Sequence, residues 1–511
     1  MGETYKRASF VDLVMGDAPS YDEVSAVLKK ASKTTGTKKT DPMLKLPVSE
    51  RLKRIREGVN SVLGRYRGFV KVIWADEFDE YIERAVKAGF VSIDTETNKS
   101  LDPMTGKIVG LCLYYDNSRP AYVPLLHTVP ETETLLPNQV TVEQASRGMK
   151  RFLHTKNIWH NAKFDVRFIY QFLGVRLPVW WDTMVGSQLL DENAVAKLKV
   201  QYPLHIDPTM PQYDIEHLFS SVPYEWVDPE TFALYAAIDA YDTAMLQKYQ
   251  QEQFEQPGME RLYSLFRDLE VPIVSVTAKM EDAGVVLDLP FVQKLNDKYL
   301  NKMQEIQEKI NSILAPHRKE IEHYQLVGKL DNPYNINSDV QLKILLYDIL
   351  KTPVPEGYNR STDKAVLKAI KSDFTKALLD YRHYSKLVSS FTAPLPGWVS
   401  PADNRLHAGF NQLGQEENNV RTGRFSSTRP NLQQAPSHDK TFRLMFKAST
   451  YENEVEFNES LSLKDYQEVE CKDGWKFAKD LDEGDNVVTD EGIRVVSHVF
   501  VDGHNCTVCF E

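Results

Sequence analysis

Before residue 255 short apolar runs alternate with helix-patterned stretches, and this alternation restricts the fold more than any other feature. VKVIW, VSIDTE, IVGLCLYY and AYVPL read as strands, and SERLKRIREGVNSVLGRY and PETFALYAAIDAYDTAMLQKY as helices. Strands interleaved with helices bury their apolar faces as a sheet with helices packed on it, so an α/β domain is expected. Beyond 255 the texture becomes long helices. LYSLFRDLEVPIVSVTAKMEDAGVVLD reads as an apolar helix stopped near Gly284, and PFVQKLNDKYLNKMQEIQEKINSIL as a stalk with one charged face. INSDVQLKILLYDIL, STDKAVLKAI and TKALLDYRHYSKLVSS form a second helical group. After 450 short alternating strands separated by DG and EG turns predict a β-rich segment.

The strand VSIDTE carries Asp94 and Glu96 two residues apart, so both carboxylates project to one side. Asp165 lies in NAKFDVRFIYQFL, whose Phe164, Phe168 and Phe172 recur at helical spacing. Tyr235 and Asp239 are four apart on the helix opened by Pro229, one turn apart on one face. Singly, each piece also fits a bland reading: a solvated turn, a helix-surface acid, an ordinary helix face. Together they offer the hard oxygen ligands that Mg²⁺ or Mn²⁺ prefers. Phosphodiester cleavage by two such ions needs carboxylates of this kind.

In this order the set resembles the three motifs of the DEDD-type 3′→5′ exonucleases, in the tyrosine-bearing form found in bacterial DNA polymerase I, over about residues 66–250. The resemblance implies a ribonuclease H-like fold. It also implies that Asp94 bridges two divalent ions, that Glu96 and Asp239 complete the nucleophile-side ion, and that Asp165 holds the leaving-group ion through water. Tyr235 would orient the attacking water, and Asn161 and Phe164 would shape a cleft for a single-stranded 3′ end, with Phe168 and Tyr235 also beside its bases. Asp182, in WWDTMVGSQLL, reads as a supporting residue.

A second block, RTGRFSSTRPNLQ, contains Arg421, Thr422, Gly423, Arg424, Ser426, Ser427, Arg429, Asn431, Leu432 and Gln433. A glycine-punctuated turn with cations and small hydroxyls can follow a phosphate backbone. Against a surface loop of exposed arginines stands the similarity of the whole block to the TGRxSSxxPNLQ segment of family A DNA polymerases. The preceding helices resemble that family's thumb. By this resemblance Arg421, Thr422, Arg424, Ser426, Ser427, Asn431, Gln433 and Arg443 are expected to contact primer-template DNA.

Past FKAS the family's palm motifs are not complete. Asp465-Tyr466-Gln467-Glu468 imitates the first without its serine, and is read as coincidence. KDGWKFAKDLDEGDNVV resembles the early strands of Hint-type domains; Ser460 or Ser462 would be the nearby nucleophile, and His504-Asn505-Cys506 is read as a chance likeness to a splice junction. The expected organisation is a partly disordered extension over 1–65, whose Lys29, Lys30, Lys38 and Lys39 suit a solvated linker better than a tether, an α/β exonuclease domain over 66–250, a mainly α thumb over 251–400, the start of a palm over 401–450, and a truncated β-rich insert over 451–511. The chain then reads as the N-terminal portion of a family A polymerase, of bacteriophage source, with the nuclease as its complete centre. A second polypeptide could supply the rest of palm and fingers. A stand-alone nuclease and a non-catalytic DNA-binding half are the alternatives.

The formal net charge of −11 does not advertise nucleic-acid binding, but polymerases confine their basic residues to one groove. Four cysteines, Cys112, Cys471, Cys506 and Cys509, fit a reducing compartment without disulfides. No stretch suits a membrane span, so a cytoplasmic protein, in the host if phage-encoded, is expected.

Overall fold

The computed structural model describes residues 42–208, 215–413, 423–436 and 440–447, Leu481, and the backbone of strands between 459 and 510. Lys29, Lys30, Lys38, Lys39, Arg421, Thr422, Asp465, Tyr466, Gln467 and His504 lie outside the described residues. The chain divides into two compact units, Met1–Phe446 and Lys447–Glu511.

In the first unit α1 (Val48–Leu63) leads into β1 (Lys71–Val72) and α2 (Ala75–Ala88), then β2 (Phe90–Thr97), β3 (Ile108–Tyr114) and β4 (Ala121–Pro124). There follow α3 (Val142–Lys150), β5 (Lys156–Trp159), α4 (Ala162–Leu173), β6 (Trp181–Asp182), α5 (Thr183–Leu190), α6 (Leu198–His205) and α7 (Pro229–Phe254). The six strands form one sheet in the order β1-β4-β3-β2-β5-β6. β2, β3 and β4 pair antiparallel, whereas β5 joins β2, and β6 joins β5, in parallel.

Every residue of β3 is buried, as expected of a central strand covered on both faces. Its alternation divides the core: Leu111 and Leu113 pack with Phe78, Ile82, Val166, Phe168 and Ile169 of the α2 and α4 side. Cys112 and Tyr114 pack with Ile55, Val59, Phe232 and Ala236 of the α1 and α7 side. One exception to side-chain filling sits opposite Glu96. A Cβ on Gly110 would meet Tyr122 Oη at 2.2 Å. Tyr122 is fully buried, and its hydroxyl donates to His127 Nε2 at 2.7 Å while His127 Nδ1 faces the Val227 carbonyl at 2.8 Å. Burial holds that imidazole neutral, with its pKa near 4. Gly110→Ala is therefore expected to destabilise the fold by about 1–3 kcal/mol through overpacking, seen as a lowered urea midpoint.

The second half of this unit begins with α8 (Val271–Ala283), which ends at Gly284, and β7 (Val285–Leu287). α9 (Leu289–Leu314) then crosses between two cores: Val292, Leu295 and Tyr299 pack with Leu387, Leu406 and Phe442, and Ile310 and Leu314 with Leu345, Leu346 and Leu378. This helix runs beside α10 (Asp373–Leu387). β8 (Arg405–Leu406) pairs with β7, and β9 (Gly409–Asn411) forms a ribbon with β10 (Ser426–Thr428). No helix among the described residues is long and apolar enough to cross a membrane.

The second unit, by itself, is a six-stranded sheet of Glu459–Lys464, Glu468–Cys471, Gly474–Phe477, Asn486–Thr489, Gly492–Asp502 and Asn505–Phe510. Its spatial order is first, sixth, fifth, fourth, second, third, and the pairings among the described residues are antiparallel.

Candidate active site

β2 extends through both of its acids, so Asp94 and Glu96 sit within a strand and share the face turned to α7. Asp94 is directly opposite Cys112 of β3, and the ligand atoms of Asp94, Glu96 and Cys112 lie within 4.8 Å of one another. Thr95 points the other way, toward α4. Its amide and hydroxyl both donate to Asp165 Oδ1, at 2.9 and 2.6 Å. The strand thus presents two carboxylates on one face and fixes a third from the other.

Asp182 supports this arrangement from behind. Its carboxylate accepts from the amides of Asn161 and Ala162 at 3.1 and 2.8 Å, and from Met184 and Val185 at 2.9 and 3.3 Å. One acid therefore braces the starts of α4 and α5 together. Asn161 adopts the left-handed conformation at φ 65°, which turns the chain from β5 into α4.

α7 contributes Tyr235 and Asp239, and α6 contributes a residue that no sequence motif pointed to, Lys199. Its Nζ lies 3.3 Å from Asp239 Oδ2 and 4.6 Å from the centre of the Tyr235 ring. The Tyr235 ring also packs on Phe219 at 5.0 Å.

Electrostatics follow from this crowding. Burial, then the charges of Asp165, Glu96 and Asp239, push the Asp94 carboxyl well above the usual range. Burial and the neighbouring Asp239 raise Glu96 to about 8. Burial raises Asp165 to about 7 although the Thr95 hydrogen bonds pull the other way. Burial opposes the Lys199 ammonium, but Asp239, Glu96 and Asp94 outweigh it and hold its pKa above the ordinary value. Burial and the Glu96 and Asp239 charges drive the Tyr235 phenol upward, so it stays protonated and can donate a hydrogen bond. Crowded, partly buried carboxylates that repel one another, with hard oxygen donors, fit divalent cations. The Cys112 thiol, raised by burial and by the Asp94 charge, stays protonated and adds no ligand for a hard ion.

A pH dependence with an unusual sign results. These acids have folded-state pKa values above their unfolded values near 4, so the folded chain holds protons that the unfolded chain releases. The metal-free protein is expected to lose stability as pH rises from the ordinary carboxylate range through about 8. A divalent ion should offset the loss. Thermal melts at about pH 5 and about pH 8, in EDTA and in Mg²⁺, read both effects.

Other expected site residues divide. Phe164 is half-buried and packs on Phe168 at 4.7 Å, whereas Phe168 is fully buried, so helical spacing left one ring partly open and put the other in the core. Tyr235, at 7 % exposure, has its ring inside the α7 core and does not stand as an open stacking platform. Arg424, Arg429 and Arg443 are exposed. Ser427 instead is 1 % exposed; its hydroxyl lies 3.2 Å from the Pro430 carbonyl and accepts from the Leu432 amide at 3.3 Å. Asn431 accepts from the Gln433 amide at 3.1 Å, and Gln433 donates to the Phe425 carbonyl at 3.0 Å. Ser427 therefore shapes the loop from inside, and Asn431 and Gln433 hold the loop together. Ser426 lies at the ribbon edge, half-buried, opposite Asn411.

α4 and the ribbon are joined through charges on α8. Glu281 of α8, 3 % exposed, accepts from Lys163 and Arg167 of α4, each at 2.6 Å, and from the Phe410 amide of β9 at 2.7 Å. Lys163 also donates to the Phe410 carbonyl at 2.6 Å. Asp282 accepts from Arg167 and Arg176 at 2.8 and 3.0 Å.

Residues 70–255 match the family model described as 3′-5′ exonuclease, and residues 298–480 the one described as DNA polymerase family A. The latter match runs past 451, into the stretch read as an insert. DNA polymerase I of Chloroflexus aurantiacus is 28% identical over 407 residues, covering 77% of this chain and 40% of that protein. DNA polymerase I of Treponema pallidum is 27% identical over 509 residues, 90% of this chain and 46% of the relative. The thermostable DNA polymerase I of Thermus aquaticus is 37% identical over 185 residues, 35% of this chain and 20% of the relative. A solved structure, the POL domain of Pol1 from M. smegmatis in complex with DNA primer-template and dNTP, shares the fold with TM-score 0.55 at 20% identity, over 78% of this chain and 61% of that one. The chain spans less than half the length of the curated relatives named above.

Proposed function

We propose, for a chain that belongs to the family A DNA polymerases, that the cleft around Asp94 removes nucleotides from the 3′ end of a DNA strand with two divalent ions, Mg²⁺ or Mn²⁺. The observation that carries this reading is the convergence of Asp94, Glu96, Asp165 and Asp239 on one electrostatically strained cleft beside a neutral phenol. Asp94 would serve both ions, Glu96 and Asp239 one of them, and Asp165 the other through water. When bound, such ions lower the pKa of water and stabilise charge on the attacking and leaving oxygens. Thr95 keeps Asp165 oriented, and Asp182 fixes the helix that carries it. Tyr235 donates its hydroxyl proton as a hydrogen bond and so aims a water without taking a proton from it. Asn161 and Phe164 line the approach of the single strand.

The ribonuclease H-like character of the α/β sheet, with its order β1-β4-β3-β2-β5-β6, belongs to the same reading. So do the boundaries 66–250 for the nuclease, 251–400 for a thumb and 401–450 for the start of a palm. The α9–α10 region and the β9–β10 ribbon would hold primer-template duplex, with Arg424 and Arg443 toward phosphates and Ser427 supporting them from within. In the whole protein this would serve proofreading during replication. The family A match over 298–480 disfavours a stand-alone nuclease. Residues 451–511 as a separate β module rest on the turn-rich sequence and the strands found there.

A 5′-labelled single strand incubated with the full chain should shorten from its 3′ end in Mg²⁺ and remain intact in EDTA. No Mg²⁺-dependent shortening sinks the reading. Tyr235→Phe should lower the rate by about 10²-fold with Mn²⁺ affinity unchanged, because only the hydroxyl is lost. A Tyr235→Phe variant as fast as wild type would remove the water-aiming role.

A further inference from the structure

The nuclease reading leaves one charged group without a task. Lys199 comes from α6, and no motif of the sequence marks it, yet its ammonium sits among the proposed metal ligands. Its side chain is 31% exposed and that of Asp239 16%, so this pair is shielded, unlike the surface pair Arg84–Glu80 at 64% and 68%. The position does to the carboxylates what a divalent ion would do: it places positive charge 3.3 Å from Asp239, and that charge also interacts with Glu96 and Asp94.

We propose that Lys199 is a built-in counter-cation, which holds Asp239 in the cleft while no divalent ion is bound and which an incoming ion must displace from that carboxylate. The inference rests on the nuclease reading above. Two cations on one carboxylate repel, and a divalent ion that takes oxygen from Asp239 competes with the ammonium for the same lone pairs. Lysine suits displacement, since its point charge rides on a flexible four-carbon stem. The Tyr235 ring, already 4.6 Å from Nζ, offers a cation–π position that does not use the carboxylate. Ion affinity at this site is then lower than the carboxylates alone would give, and the cleft keeps its shape at low ion concentration.

The test measures ion binding without DNA. Mn²⁺ is titrated into the full chain and followed by its electron paramagnetic resonance signal, for wild type, Lys199→Met and Lys199→Arg. Methionine keeps much of the stem and removes the charge, so Lys199→Met should bind Mn²⁺ about tenfold tighter, while Lys199→Arg stays within about twofold of wild type. In EDTA, Lys199→Met should melt below wild type, and saturating Mn²⁺ should close the gap. Unchanged or weaker Mn²⁺ binding by Lys199→Met overturns the proposal, as does a melting deficit that Mn²⁺ leaves in place. Wild type that neither binds Mn²⁺ nor shortens DNA in Mg²⁺ overturns the nuclease reading as well. Wild type that does both, with Lys199→Met binding Mn²⁺ no more tightly, overturns the counter-cation alone.

Discussion

Asp94→Ala is expected to lower Mg²⁺-dependent shortening of a single strand by about 10³-fold or more, because the carboxylate proposed to serve both ions is lost and no neighbour can replace it. Cys112, the residue opposite, carries a protonated thiol that does not suit a hard ion. The same change should not unfold the protein. Asp94 is a half-buried acid pressed by Asp165, Glu96 and Asp239, so removing it relieves repulsion. Asp94→Asn, which keeps the side-chain shape, should melt in EDTA at or above the wild-type temperature at about pH 8. Activity and stability therefore move in opposite directions, which separates a lost ligand from a damaged fold. A variant that cuts as well as wild type would show that the cleft has been misassigned, and one that melts well below wild type would show that Asp94 is a structural acid.

Glu281→Ala should produce the largest loss of stability, about 3–5 kcal/mol, measured by urea denaturation. Glu281 is 3 % exposed and accepts from two cations and one amide. Its removal strands the 2.6 Å contacts of Lys163 and Arg167 and frees the Phe410 amide. Glu281→Gln, which can still accept hydrogen bonds but carries no charge, should fall between. A change of less than about 1 kcal/mol for the alanine variant would mean that the network adds nothing over solvated charges. Lys163 and Arg167 flank Asp165 on α4, so Glu281→Ala should also slow cleavage, through a helix free to shift.

Asp94 and Glu96 were legible because the two-residue period of a strand leaves two acids no choice of side. Tyr235 and Asp239 were legible for the corresponding reason on a helix, and Asp182 only through the likeness of WWDTMVGSQLL to the family's segment. Lys199 was not. It sits on a short helix interrupted by Pro203, without the periodicity that marks a functional face, and its partner Asp239 belongs to another helix. Glu281 was hidden by distance along the chain, since its cations come more than a hundred residues earlier and ordinary charge patterning reads only neighbours. In the RTGRFSSTRPNLQ block, likeness of letters could not separate residues that face outward from those that stitch the loop. Exposed Arg424 and buried Ser427 differ in burial and hydrogen bonding, which letters do not record. Phe164 and Phe168 teach the same point on a helix, where spacing identifies a shared stripe but not which end of it meets solvent.

The sheet order has a bearing on when the cleft comes into being. β2 pairs with β3 and β5, and Asp165 is tied to it by Thr95, so a chain that has emerged from the ribosome as far as α4 already carries three of the four acids, Asp94, Glu96 and Asp165. Asp239, Tyr235 and Lys199 arrive only with α6 and α7, and α7 packs across β2, β3 and β4. These are contacts distant in sequence, whose loop-closure entropy slows folding. The proposed site is therefore complete only once α6 and α7 are packed on the sheet, and a chain that ends before α7 lacks both Asp239 and the phenol of Tyr235.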